Sequence, residues 1–344
     1  MLTSTILASN FWRVIINSFA NWIGNYGWAI IVFAIVLKII MSPLDILQRV
    51  SSAKQSRMMS AMQPEVDELK RKYADDPQRL NQEQNKLYKK YNSNAGGMCI
   101  TMLITLGISL AVFFTLYGSI RSYGNDKLYE TYHSMDQAYV QAETECDASW
   151  DEEKINEYIA NKVQEQYEAQ KKQNSWLWVK NVWKSDTKTS QFVDFDAYAD
   201  HYEITDTEEN KARTIAKERY DFIVKTIVPD GNVRNGYYGL IIACGVLTLL
   251  SQFISSKLLN KKGQKMNMMN IIMMIVIPIS MIIFASTSNA MFTLYIIANS
   301  LATTIISTII SLIINHRNKG KTDEEILIKK KNVEVVEYSR NYKK

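Results

Sequence analysis

No aspartate or glutamate occurs inside any of five long apolar runs, at about residues 26–42, 98–117, 237–254, 268–285 and 291–314. That absence excludes chemistry that needs carboxylates within a bilayer, such as acid-based proton relays or intramembrane aspartyl proteolysis. Cysteine is scarce, 3 residues in 344, with Cys99 and Cys244 inside apolar runs and Cys146 alone in a polar stretch. With no CxxC and no Cys/His cluster, neither a disulfide framework nor a zinc site is supported. The 3 histidines, His133, His201 and His316, are far apart in sequence and read as surface residues. There is no HExxH, no GxSxG and no phosphate-cradling glycine loop. Nothing assembles a catalytic constellation, so no enzymatic activity, metal or cofactor is expected. The N-terminus also lacks a Lys/Arg-led start and a small-residue cleavage site, so no signal peptide is expected.

What is present is apolar length. Runs of this length without acids read as membrane spans rather than core helices. The mean hydropathy of −0.16 averages these runs with very polar segments between them. The expected class is an all-α membrane protein with five core transmembrane helices, a cytoplasmic helical hairpin and a helical extracellular insertion. Residues 1–25 put Trp12, Ile15, Ile16, Phe19, Trp22 and Ile23 on one helical face, with Asn17, Ser18 and Asn21 opposite. That pattern is expected to be an interfacial amphipathic helix, the bland alternative being an ordinary packed helix.

Charge orients the spans. The short loop 255–267 carries Lys257, Lys261, Lys262 and Lys265 and no acid, which places it in the cytoplasm. Alternation then puts 44–97 (10 Lys/Arg, 7 Asp/Glu) and the basic tail 315–344 (9 and 5) inside. The N-terminus and the acidic segment 122–236 (14 and 23) fall outside. The first span, 26–43, is expected to close at Pro43, where a missing backbone donor is tolerable. Segment 44–97 reads as an antiparallel helical hairpin whose second arm starts with Asp76 as N-cap and Pro77 in the first helical position. Met58, Met59 and Met62 near its middle suit a surface that adapts to varied partners. The second span is 98–121, and 237–314 holds the third to fifth.

Lys38 is the oddity of the first span. An ammonium at the centre of a membrane helix costs about 2.5–3.5 kcal/mol. Either it snorkels to a nearby face or it sits in a water-filled cavity. Thr101, Thr105 and Ser109 lie along one face of the second span, and Asn299, Thr303, Ser307 and Ser311 along one face of the fifth, with Ser300, Thr304 and Thr308 beside them. Most such hydroxyls bond their own helix or a neighbour. Two polar stripes and one lysine without an intramembrane acid nevertheless make a shared hydrophilic cavity plausible. Lys38 then reads as an unpaired cation in a wet groove.

The string Leu37-Lys38-Ile39-Ile40-Met41-Ser42-Pro43-Leu44, then Met62-Gln63-Pro64-Glu65 through Asp75-Asp76-Pro77-Gln78-Arg79-Leu80, Lys86-Leu87-Tyr88-Lys89-Lys90 and Gly96-Gly97 resembles the YidC/Oxa/Alb membrane protein insertases. So do Leu294-Tyr295-Ile296-Ile297-Ala298-Asn299-Ser300 and the tryptophan-containing segment Trp176-Leu177-Trp178-Val179. The resemblance covers about 26–118 and 237–314. It implies a groove open to the cytoplasm and to lipid, through which nascent membrane proteins enter the bilayer without nucleotide hydrolysis. Lys38, Thr101, Thr105, Ser109, Asn299, Ser300 and Thr303 would line it. It also implies a ribosome contact through the basic hairpin and tail, without sequence-specific nucleic-acid recognition, and admits a Sec translocase as partner. The location would be the bacterial plasma membrane, with the N-terminus outside and the C-terminus inside.

Several positions depart from the family pattern. Lysine stands where arginine is most common, Thr101 and Gly107 where prolines are usual, and Thr105 where a glutamine is usual. The insertion 122–236 is far longer than the family's short external loop. Its Ile155, Tyr158, Ile159, Val163, Gln166 and Tyr167 sit near one helical face, so a helical insertion is expected. It reads as a cap on the groove's outer end, the alternative being a docking site. Two other functions stay open on residues alone: a small-solute transporter or channel, and a membrane-anchored scaffold acting through the insertion.

Overall fold

The computed structural model describes residues 2–91, 95–187, 190–207, 211–229, 234–259 and 268–317. The side chains of 2–10, 55, 59–60, 88–102, 259 and 268–273 are also outside the description. Among the described residues ten helices follow one another: α1 (Leu2–Ile23), α2 (Tyr26–Lys72), α3 (Pro77–Tyr91), α4 (Ala95–Glu145), α5 (Glu152–Asn174), α6 (Phe195–His201), α7 (Ala212–Ile227), α8 (Gly239–Leu259), α9 (Met268–Thr287) and α10 (Ala290–Arg317). No β-strand occurs among the described residues. Tyr26–Met58, Leu103–Glu145, Gly239–Leu258 and Ala290–Arg317 are long and apolar enough to cross a membrane, and Met274–Thr287 is a shorter apolar stretch. With its full 20 residues, or about 30 Å of rise, α9 matches the fourth apolar run, 268–285. This is a multi-pass, all-α membrane protein.

Two helix ends differ from expectation. Pro43 does not end the helix, because α2 runs on through Pro43 and Pro64 for 47 residues. A proline removes one backbone donor and crowds one carbonyl, which a long helix absorbs locally. Likewise α4 does not stop near residue 121 but continues to Glu145 over 51 residues. The hairpin turn is as expected: the N–H of Arg79 donates to Asp76 Oδ1 at 3.0 Å, ahead of Pro77. The lysines at 261, 262 and 265 and nearly all of the tail lie outside the described residues.

The chain divides into two units. The first comprises Met1–Leu37, Val112–Leu249 and Ile275–Ser300. One hydrophobic core runs through it. Ile16 and Ala20 of α1, Ile30 and Phe33 of α2, Leu116 and Ile120 of α4, and Phe292 and Leu294 of α10 share that core with Tyr132, Met135, Ile159, Val163, Trp183, Tyr198 and Ile223 of the insertion. The face of α1 read as interfacial is spent largely on this core. Ile16 is fully buried, Trp12 Nε1 donates to Thr115 Oγ1 at 3.3 Å, and Phe19 and Trp12 meet Phe33 edge-on. Trp22 stays exposed. Arg13 ties α1 to α4 through Asp126 at 2.5 Å and Ser122 at 2.9 Å. Gly24, at φ 78, supplies the left-handed residue that ends α1.

In the insertion, Ile159 and Val163 are buried and Ile155, Tyr158 and Tyr167 pack beside them, as the periodicity expected. Asp151 caps α5 and Asp194 caps α6. α7 is capped from a distance: Asp206 Oδ1 accepts from the N–H groups of Arg213 and Thr214.

The second unit comprises Lys38–Ala111, Leu250–Met274 and Leu301–Lys344. It holds the hairpin of α2 and α3. Met58, Met62 and Leu87 are buried there. The methionines at 58 and 62 therefore fill an interior and do not form the adaptable outer surface their composition suggested; the side chain of Met59 lies outside the described residues.

Candidate functional site

The site is built from the α2 part of the second unit. Lys38 is not an unpaired cation. Its Nζ lies 2.9 Å from both carboxylate oxygens of Asp45, with the side chains 12% and 23% exposed. Seven residues make 20° less than two full helical turns, so Asp45 returns to the same face of α2 about 10 Å along the axis. Because side chains tilt toward the helix N-terminus, the aspartate leans back toward the lysine. The pairing offsets part of the cost of placing a charge in an apolar helix.

Four residues further along is Arg49, again on that face. Its Nε donates to Ser311 Oγ at 2.8 Å and its Nη2 to the carbonyl of Ser255 at 3.2 Å. Ser311 and Ser307 are buried on α10, and each bonds back to its own helix, Ser311 to the Ser307 carbonyl at 2.7 Å and Ser307 to the Thr304 carbonyl at 3.1 Å. Thr304 Oγ1 reaches across to Ser251 Oγ on α8 at 2.6 Å. A polar seam thus joins α2, α8 and α10 within otherwise apolar surroundings.

The expected site residues distribute as follows. Lys38, Thr105, Ser109 and Thr303 fall in the second unit. Thr105 is buried, Ser109 exposed and Thr303 half-buried. The α4 stripe is therefore not turned uniformly inward. Thr101 lies on α4 with its side chain outside the described residues. Asn299 and Ser300, both half-buried, belong to the first unit.

A family model described as 60Kd inner membrane protein matches residues 18–319. The chain belongs to that family. Proteins named "Membrane protein insertase YidC" resemble it over shorter stretches. One from Clostridium tetani is 40% identical over 90 residues, 26% of this chain and 39% of that protein. One from Fusobacterium nucleatum is 34% identical over 116 residues, 34% of this chain and 53% of the relative. One from Caldanaerobacter subterraneus is 40% identical over 103 residues, 30% and 46% respectively. The matched stretch is less than two thirds of each relative's length.

In this member of the 60Kd inner membrane protein family, Asp45, Arg49, Ser251 and Ser255 had not been read from sequence as site residues. A signal existed. Lys38, Ser42, Asp45, Arg49, Ser52 and Ser56 recur at steps of four, three, four, three and four, one continuous helical stripe. Ending the span at Pro43 cut that stripe in two.

Proposed function

We propose that this protein moves nascent membrane proteins from the cytoplasm into the lipid bilayer, with the charged stripe of α2 from Lys38 to Arg49 as the place where hydrophilic segments are received. The observation that carries the reading is a charged, hydroxyl-rich stripe on helices otherwise built for lipid, in a chain of this family. A polar niche lowers the cost of taking a hydrophilic end out of water. Burial of the passenger's apolar span in lipid, at about 25 cal/mol per Å² of apolar area, then drives the transfer to completion. No nucleotide is needed in this scheme. Thr105 and Thr303, with Thr101 and Ser109, would line the path. In our reading the N-terminus and the insertion face outward. The hairpin and basic tail face the cytoplasm, where lysine-rich surfaces would meet ribosomal RNA. A Sec translocase is a candidate partner for longer passengers.

The test is depletion of the endogenous protein and complementation with variants at Lys38. Lys38→Arg keeps the cation and is expected to retain insertion of small one- and two-span proteins. Lys38→Glu sets two carboxylates against each other and is expected to lose about tenfold or more. Wild-type insertion by Lys38→Glu, with the protein present at normal level, would rule the reading out.

A further inference from the structure

The Lys38–Asp45 pair leaves part of the aspartate's hydrogen-bonding capacity unused. Oδ1 takes the hydrogen bond from Nζ, whereas Oδ2, equally close, is buried and takes none. An ionised carboxylate ordinarily accepts several hydrogen bonds, so this one is under-satisfied where it stands. The lysine's own position is different. Its side chain is only 12% exposed and its ammonium can donate three bonds. The pair is also local to α2, so opening it needs a rotamer change and breaks no hydrogen bond between helices among the described residues. Arg49 contrasts with it, being held by neutral oxygens on α8 and α10.

We propose that Asp45 is a displaceable counter-ion that competes with the passenger for Lys38. The proposal rests on the insertase reading above. A carboxylate on an incoming hydrophilic segment has the same chemistry as Asp45. When it reaches Nζ, Asp45 swings away and gains the solvation it lacks at Oδ2. When the segment moves on, Asp45 closes back on Lys38 and keeps the cation from retaining the passenger. Asp45 is thus a positioning residue acting through Lys38. It sets how acidic a segment must be to hold the site, and neutral segments gain nothing from its removal.

The experiment uses the full-length protein in proteoliposomes and ribosome-stalled nascent chains carrying no, one or two aspartates in the translocated segment. A photo-crosslinker in that segment reports occupancy. Asp45→Asn is expected to raise crosslinking of the acidic chains about three- to tenfold, the weight of one partly exposed ion pair, and to leave the acid-free chain unchanged. In a Lys38→Gln background the same substitution is expected to do nothing, since no cation remains to compete for. Asp45→Ser carries the same expectation and covers a folding defect peculiar to asparagine. Equal yields with and without Asp45 while Lys38→Gln lowers them would overturn the competition and leave the insertase reading standing. So would an increase that persists in Lys38→Gln. Wild-type crosslinking of acidic chains by Lys38→Gln would instead overturn the reading of Lys38 as the receiving cation.

Discussion

At the scale of single residues, some polar groups find their partners far away in sequence. Asp186 shows this. Its carboxylate accepts from the backbone N–H of Leu240, the first turn of α8, and Gly236 passes so close that a Cβ there would collide with the carboxylate. Burial pushes the Asp186 carboxyl above the usual carboxylate range, while backbone donors from Leu240 and Tyr237 pull it back. The sign is opposite to the common aspartate case. Above the unfolded value of about 3.9, the folded chain still holds a proton that the unfolded chain has lost. Stability from this group is therefore present at low pH and is lost as pH rises through the folded pKa. Asp186→Asn should flatten that part of the profile, checked as the difference in thermal midpoint between wild type and variant from pH 4 to 7 in detergent. An unchanged difference across that range would mean the carboxyl is not titrating in the fold. Neither the Asp186 contact to α8 nor the place of Asp45 beside Lys38 was legible in the sequence. Asp186 needs a partner 54 positions away. Asp45 needed only the recognition that a helix can pass through Pro43.

At the scale of elements, the spans begin in an organised way. The first four N–H groups of a helix have no partner within it. In α10 all four are satisfied: Ala290 donates to the Lys184 carbonyl at 2.8 Å and Met291 to that of Val182 at 2.8 Å. Phe292 donates to Asn289 Oδ1 at 3.0 Å and Thr293 to the Asn289 carbonyl at 3.3 Å. Asn289 Nδ2 also donates to the Ile120 carbonyl at 3.2 Å, joining α10 to α4. Asn289→Ala removes the cap and that bridge, and is expected to cost about 1–2 kcal/mol, read as a lower unfolding midpoint in detergent. Asn289→Asp keeps the cap's acceptor but not the amide donor, and should recover part of the loss. Helix existence was legible here from composition, since uncharged runs of span length leave few alternatives. The turn at Asp76–Pro77 was legible too, because a cap and a first-turn proline act within four residues. The α10 start was not, because two of its four acceptors come from the backbone of the insertion, where any sequence presents a carbonyl.

At the scale of the molecule, the insertion is part of the first unit's architecture. Trp183 stands between Tyr26 and Tyr123, with ring centroids at 4.7 and 5.2 Å, and donates to Asn174 Oδ1 at 3.0 Å. Asn25, which caps α2 through the N–H of Trp28, also donates to the carbonyls of Lys172 and Ser175 at the end of α5. Sequence periodicity showed that the insertion is helical, but a stripe of apolar residues does not say whether it closes on its own helices or on the spans. The shared core answers that for this unit, and it changes what a deletion should do. Removing residues 125–172 takes Tyr132, Met135, Ile159 and Val163 out of the core and strips Asn25 of its Lys172 partner, leaving Ser175 without the helix that positions it. Each large buried side chain is worth about 2–5 kcal/mol, against a total stability of about 5–15 kcal/mol for a domain. The deletion is therefore expected to yield a chain that aggregates or is proteolysed, with no insertion activity at any expression level. An appended docking module would behave oppositely, leaving a monodisperse, protease-resistant remainder that inserts normally and fails only to bind a partner. Size-exclusion profile, limited proteolysis and complementation of the depleted strain, measured on the same preparation, separate the two. A stable and active remainder would show that the spans hold together without the insertion's part of the core.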